Sequence, residues 1–171
     1  MIFDASRRLK RRMEAAQGYL MLDLPDRALK ELNEIDDAGD QAFQFHLLRG
    51  EALRSKAEYR RGLDEFLTAH ALQPTELSVL MGMAWCYKRV DRLDQSINTL
   101  RLAYESHSDV PVVLYNLACY YSLAGDKDQA LSWLGRALRM DRNFMKLVPN
   151  ETDFDPLRDD PDFAHLLELT E

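Results

Sequence analysis

The chain has few of the residues on which covalent frameworks and metal sites depend. It contains 2 cysteines and 4 histidines among 171 residues, and Cys86 and Cys119 lack the paired spacing of a disulfide framework or a zinc site. No glycine-rich phosphate loop, GxSxG turn or HExxH helix occurs. With only 7 glycines and 6 prolines, long disordered segments are not expected either. We therefore predict a folded protein that is not an enzyme and holds no cofactor and no metal.

Long apolar runs and an excess of basic charge are also missing. The longest uncharged run, residues 110–125, is shorter than the roughly 20 apolar residues that span a bilayer, so no membrane span is expected. No secretory signal is recognisable, which favours a cytoplasmic protein. The formal net charge is -7, and residues 141–171 hold 3 basic and 9 acidic side chains against 19 and 20 in residues 1–140. Without a basic surface, nucleic-acid binding is not expected.

What the sequence does contain is an internal repeat with an offset of 34 residues. Small residues recur at Ala16, Gly50, Ala84 and Ala118; larger ones at Tyr19, Leu53, Tyr87 and Tyr121; and core-type residues at Leu32, Phe66, Leu100 and Leu134. Each block divides near its middle at turn and N-cap residues, as at Gly125-Asp126, between two stretches of helical apolar spacing. Each repeat is therefore predicted to be a helical hairpin. A single hairpin cannot bury both of its faces, so neighbouring hairpins must stack.

These rows, with a small residue three positions before Tyr and then Ala four positions before Leu or Phe, as at Ala130 and Leu134, resemble the tetratricopeptide repeat (TPR). The resemblance covers roughly residues 9 to 144. It implies an all-α fold, a right-handed α-solenoid of about four TPR helical hairpins plus a short C-terminal capping helix. The predicted segments are a basic N-terminal extension at 1–8 that continues into the first helix, repeats at 9–42, 43–76, 77–110 and 111–144, and an acidic C-terminal cap at 145–171.

The cap breaks the period of the repeats. Asp155-Pro156 and Asp160-Pro161 each resemble an N-cap followed by Pro at the first helical position. A terminal helix is predicted from about 161 to 169, with Phe163, Leu166 and Leu167 covering the exposed end of the fourth repeat. This ending is similar to the terminal module of bacterial TPR proteins, which favours a bacterial source.

In the TPR family the first helix of each pair lines a concave groove, so the resemblance places a partner-binding surface on those helices. The residues that it assigns to the groove are Met13, Gln17, Leu47, Glu51, Arg54, Met81, Trp85, Lys88, Arg89, Tyr115, Asn116 and Cys119. Family members that bind the acidic tails of heat-shock chaperones carry Lys, Asn and Arg where Met13, Gln17, Leu48 and Gly82 stand here. That carboxylate clamp is therefore expected to be absent.

A methionine-rich and aromatic surface suits an apolar peptide or helix, because thioethers repack around varied side chains. We therefore interpret the chain as a protein-protein interaction module or adaptor, with Trp85 as the principal anchor. The alternative for the same residues is that Met81 and Trp85 simply pack between helices. Two further interpretations are a dedicated chaperone for a secreted or membrane-inserting client, resembling the small chaperones of type III secretion, and a self-assembling scaffold. In the scaffold, a homodimer would join the basic start of one chain to the acidic tail of another.

Overall fold

The computed structural model describes residues 2–170, and the side chains of residues 6–169. Met1 and Glu171, the outermost residues of the two predicted terminal segments, lie outside the described residues. Residues 2–170 form α-helices and short 3-10 helices with no strand. The chain divides into two compact units, Met1–Asp91 and Arg92–Glu171, and each is described by itself. The boundary falls inside the third predicted repeat, and the domain limits given above stay predictions.

The first unit consists of two helical hairpins and the leading helix of a third. Its helices are α1 (Ile2–Met21), α2 (Pro25–Asn33), α3 (Ala42–Ser55), α4 (Tyr59–Leu72) and α5 (Leu77–Arg89), with a 3-10 turn at Gly39–Gln41 before α3. Consecutive helices pack against each other, and α3 also contacts both α1 and α5. The leading helices α1, α3 and α5 therefore form one continuous wall of this unit.

The second unit contains one complete hairpin, a preceding helix and a closing segment. Its helices are α6 (Leu93–Ser106), α7 (Pro111–Leu123), α8 (Lys127–Met140) and α9 (Pro161–Thr170). Three 3-10 helices, at Arg142–Lys146, Val148–Asn150 and Thr152–Leu157, connect α8 to α9. These 3-10 helices and α9 together make up the closing segment. It packs on α7 through the last of the 3-10 helices and on α8 through α9.

The turn inside each pair repeats the same backbone conformation at an offset of 34 residues. Asp23, Ala57, Asp91 and Gly125 all have positive φ, between 55 and 76°, two residues after the end of the leading helix of each pair. In each turn the N–H of this residue donates to the carbonyl three positions earlier, for example from Gly125 to Ser122 at 3.1 Å. This left-handed helix ending favours glycine, yet glycine occupies it only once.

The centre of the first unit is the ring of Phe66, which is fully buried between two glycines. A Cβ atom added to Gly50 would lie 2.7 Å from the ring, and one added to Gly82 would lie 2.5 Å from it. Leu32, the counterpart of Phe66 one repeat earlier, is followed at the same offset by Leu48 rather than by glycine. The larger ring of Phe66 therefore requires glycine on the two helices that contact it, α3 and α5.

The other predicted core rows are buried as expected. Ala16, Ala84 and Ala118 are at most 1% exposed, and Leu100 and Leu134 are 0% exposed. In both units the small residues of the leading helices therefore lie in the core, which is where the repeat pattern predicts them.

The first hairpin deviates from the others in the length of its second helix. Helix α2 ends at Asn33, whereas the second helices of the later pairs run to positions equivalent to Ala38. Arg12, part of the basic run at the start of α1, joins the two helices of this hairpin through Glu31 at 2.8 Å and Glu34 at 3.5 Å. Arg12 therefore stabilises the packing of the first hairpin.

One of the two predicted Asp-Pro helix starts is confirmed and the other is wrong. Helix α9 begins at Pro161, and the Asp160 carboxylate accepts a hydrogen bond from the N–H of Asp162 at 2.9 Å. Lys127 approaches both Asp160 (2.8 Å) and Asp162 (2.6 Å), and its hydrogen bond lowers the pKa of Asp160. Pro156 does not begin a helix but lies inside the 3-10 helix Thr152–Leu157, which also contains the buried Phe154.

Because Phe66 and Gly82 are in close contact, substitutions at the two positions should have strongly coupled effects on the free energy of unfolding. Gly82→Ala should lower the free energy of unfolding by about 1–3 kcal/mol, since the added methyl group overlaps the ring. In a Phe66→Leu background the same change should cost less than half as much, because the shorter side chain leaves space. Urea unfolding of the four proteins in the cycle measures this coupling. Equal costs in both backgrounds would contradict the proposed overlap.

The left-handed turn residues predict opposite effects for two matched substitutions. Ala57→Gly should raise the free energy of unfolding by about 0.5–1 kcal/mol, because it relieves an unfavourable backbone conformation. Gly125→Ala should lower it by about 1 kcal/mol, although no atom lies within 4 Å of the added Cβ. Thermal and urea unfolding test both. Changes of the same sign would show that backbone conformation does not control these positions.

Candidate binding surface

The wall formed by α1, α3 and α5 carries most of the predicted groove residues with accessible side chains. Among them Gln17, Trp85 and Arg89 are exposed, and Trp85 keeps 36% of its surface open. Partly exposed members are Leu47, Glu51, Arg54, Met81 and Lys88. These eight residues belong to the first unit, so this unit alone presents a mixed apolar and basic surface.

Met13 is not part of that accessible surface. It is 4% exposed and belongs to the core cluster between α1, α2 and α3, together with Ala28 and Leu32. A partner cannot contact its side chain in this conformation. The repeat pattern identifies which helix Met13 is on, but its burial depends on packing with the next hairpin.

Tyr115 and Cys119, which were also assigned to the groove, are buried by the chain itself. Their exposed fractions are 4% and 1%. The ring of Phe144 stacks on Tyr115 with centroids 4.7 Å apart, and Phe154 meets it edge-on at 5.7 Å. Burial raises the pKa of Tyr115. In the second unit the closing segment therefore covers the face on which Tyr115 lies, and of the three predicted residues there only Asn116 stays partly exposed.

The exposed end of α5 holds a cluster of aromatic rings and cations. The Arg89 guanidinium carbon lies 4.9 Å from the centre of the Trp85 ring and 5.9 Å from that of Tyr59. The Lys88 ammonium lies 5.9 Å from the Trp85 ring. Cations over aromatic faces interact favourably with the π electrons, so these contacts hold Trp85 in place while part of its ring stays open. Tyr59 was missed in the sequence analysis because it begins a second helix, outside the leading-helix rows.

Beside this cluster, Glu51 and Arg54 form an ion pair on α3, with Arg54 Nη2 2.5 Å and Nε 3.0 Å from the same carboxylate oxygen. The pair lies near the buried Cys86 thiol. Burial raises the pKa of Cys86 to about 11, opposed by Arg54 and reinforced by Glu51. The thiol is therefore protonated at neutral pH, which makes it a poor nucleophile.

No set of three or more His, Cys, Asp or Glu side chains able to hold a metal ion occurs within the described residues. The same residues include no helix with both the length and the apolar character needed to cross a membrane. The wall of the first unit presents apolar side chains, aromatic rings with cations over them, and an ion pair.

Known proteins resemble this chain in one of its hairpins and in its fold. The family model described as tetratricopeptide repeat matches residues 112–144, which span α7 and α8. Solved structures share the fold over nearly the whole chain at low sequence identity. The TPR resemblance and the α-solenoid fold class are thus confirmed: the α7–α8 hairpin matches the tetratricopeptide repeat, and the chain shares the fold of solved helical-repeat proteins.

Three solved structures illustrate the likeness. A MamA fragment from Desulfovibrio magneticus RS-1 is 18% identical with a TM-score of 0.77, covering 95% of this chain and 94% of that one. The pilF protein of Pseudomonas aeruginosa is 16% identical with a TM-score of 0.77, covering 98% and 75%. The TPR protein TTC0263 of Thermus thermophilus is 16% identical with a TM-score of 0.69, covering 95% and 96%. At these identities the likeness concerns the fold.

A curated relative is the outer dynein arm-docking complex subunit 4 of Xenopus laevis. It is 25% identical over 116 residues, which make up 68% of this chain. The matched region spans only 22% of that protein's length.

The burial of both cysteines predicts slow thiol chemistry in the folded protein. Cys86 and Cys119 should react with Ellman's reagent at least about 100-fold more slowly than in urea, because reaction requires exposure of the thiol. Variants with a single cysteine separate the two sites. Rapid native-state reaction of either cysteine would contradict its burial and would show that the helix carrying it opens readily.

Proposed function

We propose that this chain is a non-catalytic adaptor that binds an apolar peptide or helix of a partner protein on the wall formed by α1, α3 and α5. Its binding residues are the eight accessible groove residues of the first unit, with Trp85 as the anchor. The TPR fold supports a role in protein-protein interaction. The finer assignment, an apolar segment on this particular face, depends on the side chains described above.

The observation that carries the proposal is the exposed Trp85. Tryptophan is among the residues that contribute most to binding energy when a partner buries them. Its neighbours on the wall, Leu47 and Met81, are apolar and partly exposed, and methionine adapts its shape to varied ligands. Because the ring is already held by Arg89, a partner would lose little conformational entropy in ordering it.

The relative from the dynein arm-docking complex supports a role in assembly, since that protein is a subunit of a docking complex. That support extends to the matched region alone. A chaperone for a secreted or membrane-inserting client would use the same surface, but would bind its client before assembly or export. A homodimeric scaffold would instead join the basic start of one chain to the acidic tail of a second copy.

We expect Trp85→Ala to weaken binding of the native partner by about 2 kcal/mol, roughly 30-fold in the dissociation constant. The helical circular-dichroism signal and the midpoint of thermal unfolding should change little, because the side chain is one-third exposed. Trp133→Ala, on α8 of the second unit, is the matched control and should leave the affinity unchanged.

The partner is first identified by affinity capture with the native protein and with a Leu47, Met81 and Trp85 triple-alanine variant. The affinity of the purified partner is then measured by titration calorimetry. A partner that binds both proteins equally would contradict the assignment of this surface. A large loss of thermal stability in Trp85→Ala would assign Trp85 to the core, and salt-dependent dimerisation measured by light scattering would favour the scaffold.

A further inference from the structure

A cavity of about 420 Å³ opens at the turn between α3 and α4 and at the end of α5, and Arg89, which lines it, also lies over the Trp85 ring. We call it the elbow cavity. Its charged and aromatic lining consists of Glu58, Tyr59, Arg60, Arg61, Arg89 and Asp91. All of these residues belong to the first unit, and none occupies a position at which binders of chaperone tails carry their clamp residues.

The sequence of α4 departs from that of the other second helices at this cavity. The first turn of α2, α6 and α8 contains an acidic residue, Asp26, Asp94 or Asp128, whereas the first turn of α4 contains none. At the same offset of 34 residues α4 carries Arg60. Positive charge at a helix N-terminus is unfavourable to the helix dipole, and Asp is favourable. This repeat therefore has a basic residue at a position where an acidic residue would stabilise the helix. Such a departure from local helix preference is typical of a binding site.

The arginines around the cavity differ in how far they are neutralised. Glu58 is held by Lys56 at 3.2 Å and by a short contact to Arg61, and these hydrogen bonds lower the pKa of Glu58. Arg61 is thus paired. Within the described residues, neither Arg60 nor Arg89 forms an ion pair with a carboxylate. Arg60 is exposed, and Arg89 lies on two aromatic faces, which leaves the edge of its guanidinium open to an acceptor.

The remaining groups at the cavity favour binding of an anionic group that lies next to an apolar group in the ligand. Asp91 is an acidic residue of the lining, but it is exposed, so water screens its charge. The side chain of Glu58 does not cap the first turn of α4, so the N–H groups of that turn add to the positive potential. Tyr59 and Trp85 provide aromatic surface on either side of Arg89. Planar carboxylates pair with guanidinium groups in a bidentate manner.

We propose that the elbow cavity binds the side-chain carboxylates of acidic residues that follow or precede the apolar part of the partner's peptide. Arg60 and Arg89 are the carboxylate-binding residues. This inference rests on the proposed function, because it assigns the charge pattern of the segment that Trp85 anchors. The partner segment is then apolar and acidic, so the cavity fixes its direction along the wall.

Two labelled peptides test the inference with the full-length protein. The first is a fluorescein-labelled peptide of alternating leucine and aspartate, and the second carries asparagine in place of every aspartate. Fluorescence anisotropy measures both affinities. We expect the native protein to bind the aspartate peptide about tenfold more tightly, with a preference that shrinks as salt is added.

Arg60→Asp should abolish this preference without weakening the binding of the asparagine peptide. It installs the residue type found at the equivalent position of the other three pairs, so thermal stability should stay the same or rise. Arg101→Asp, which makes the same charge change at an exposed position of α6, is the control and should keep the preference. An Arg60→Asp protein that is folded and still prefers the aspartate peptide would overturn the inference.

Three other outcomes would also contradict the carboxylate assignment. Binding of the asparagine peptide that requires Trp85, with no preference for aspartate in the native protein, would overturn the elbow-cavity inference while leaving the proposed function in place. Failure of the native protein to bind either peptide would overturn both. If inorganic phosphate displaced the aspartate peptide far more effectively than acetate does, the site would be a phosphate site and the carboxylate assignment would be wrong.

Discussion

The packing of the Phe66 ring between Gly50 and Gly82 is the constraint on which the first unit depends. The ring fills the space where α3, α4 and α5 meet, and the absence of side chains on the two glycines allows this close approach. Because protein interiors are close-packed, the ring position sets the separation of α3 from α5. That separation in turn sets how far the exposed side chains of α5, among them Trp85, lie from those of α3. A contact in the core therefore controls the geometry of the proposed binding surface.

Much of the fold follows from the sequence because the repeat is a local pattern. Buried positions such as Ala84 and Leu134 recur at a constant offset. The second residue after each leading helix adopts the same backbone conformation whether it is Ala57 or Gly125. Local spacing alone specifies these features. The short α2 was less predictable, since its last turn is absent although its apolar row continues to Ile35.

The binding surface was only partly predictable, for a physical reason. The repeat identifies the helices of the wall, but accessibility depends on contacts between residues far apart in sequence. Tyr115 is covered by Phe144 and Phe154, which lie in a segment without the repeat period. The elbow cavity was missed because Arg60 is unusual only relative to the aspartates that begin the other second helices, and that comparison becomes meaningful once the helix starts are known.

The closing segment also restricts how the protein can be enlarged. Phe154 occupies the surface of α7 at Tyr115, and Leu166 lies 3.2 Å from the position of a Cβ on Gly135 of α8. An engineered hairpin introduced after Met140 would compete with these side chains for the same surfaces. Insertion ahead of Pro111 would instead leave them undisturbed, so the modular design of longer arrays from this chain has a preferred point of entry.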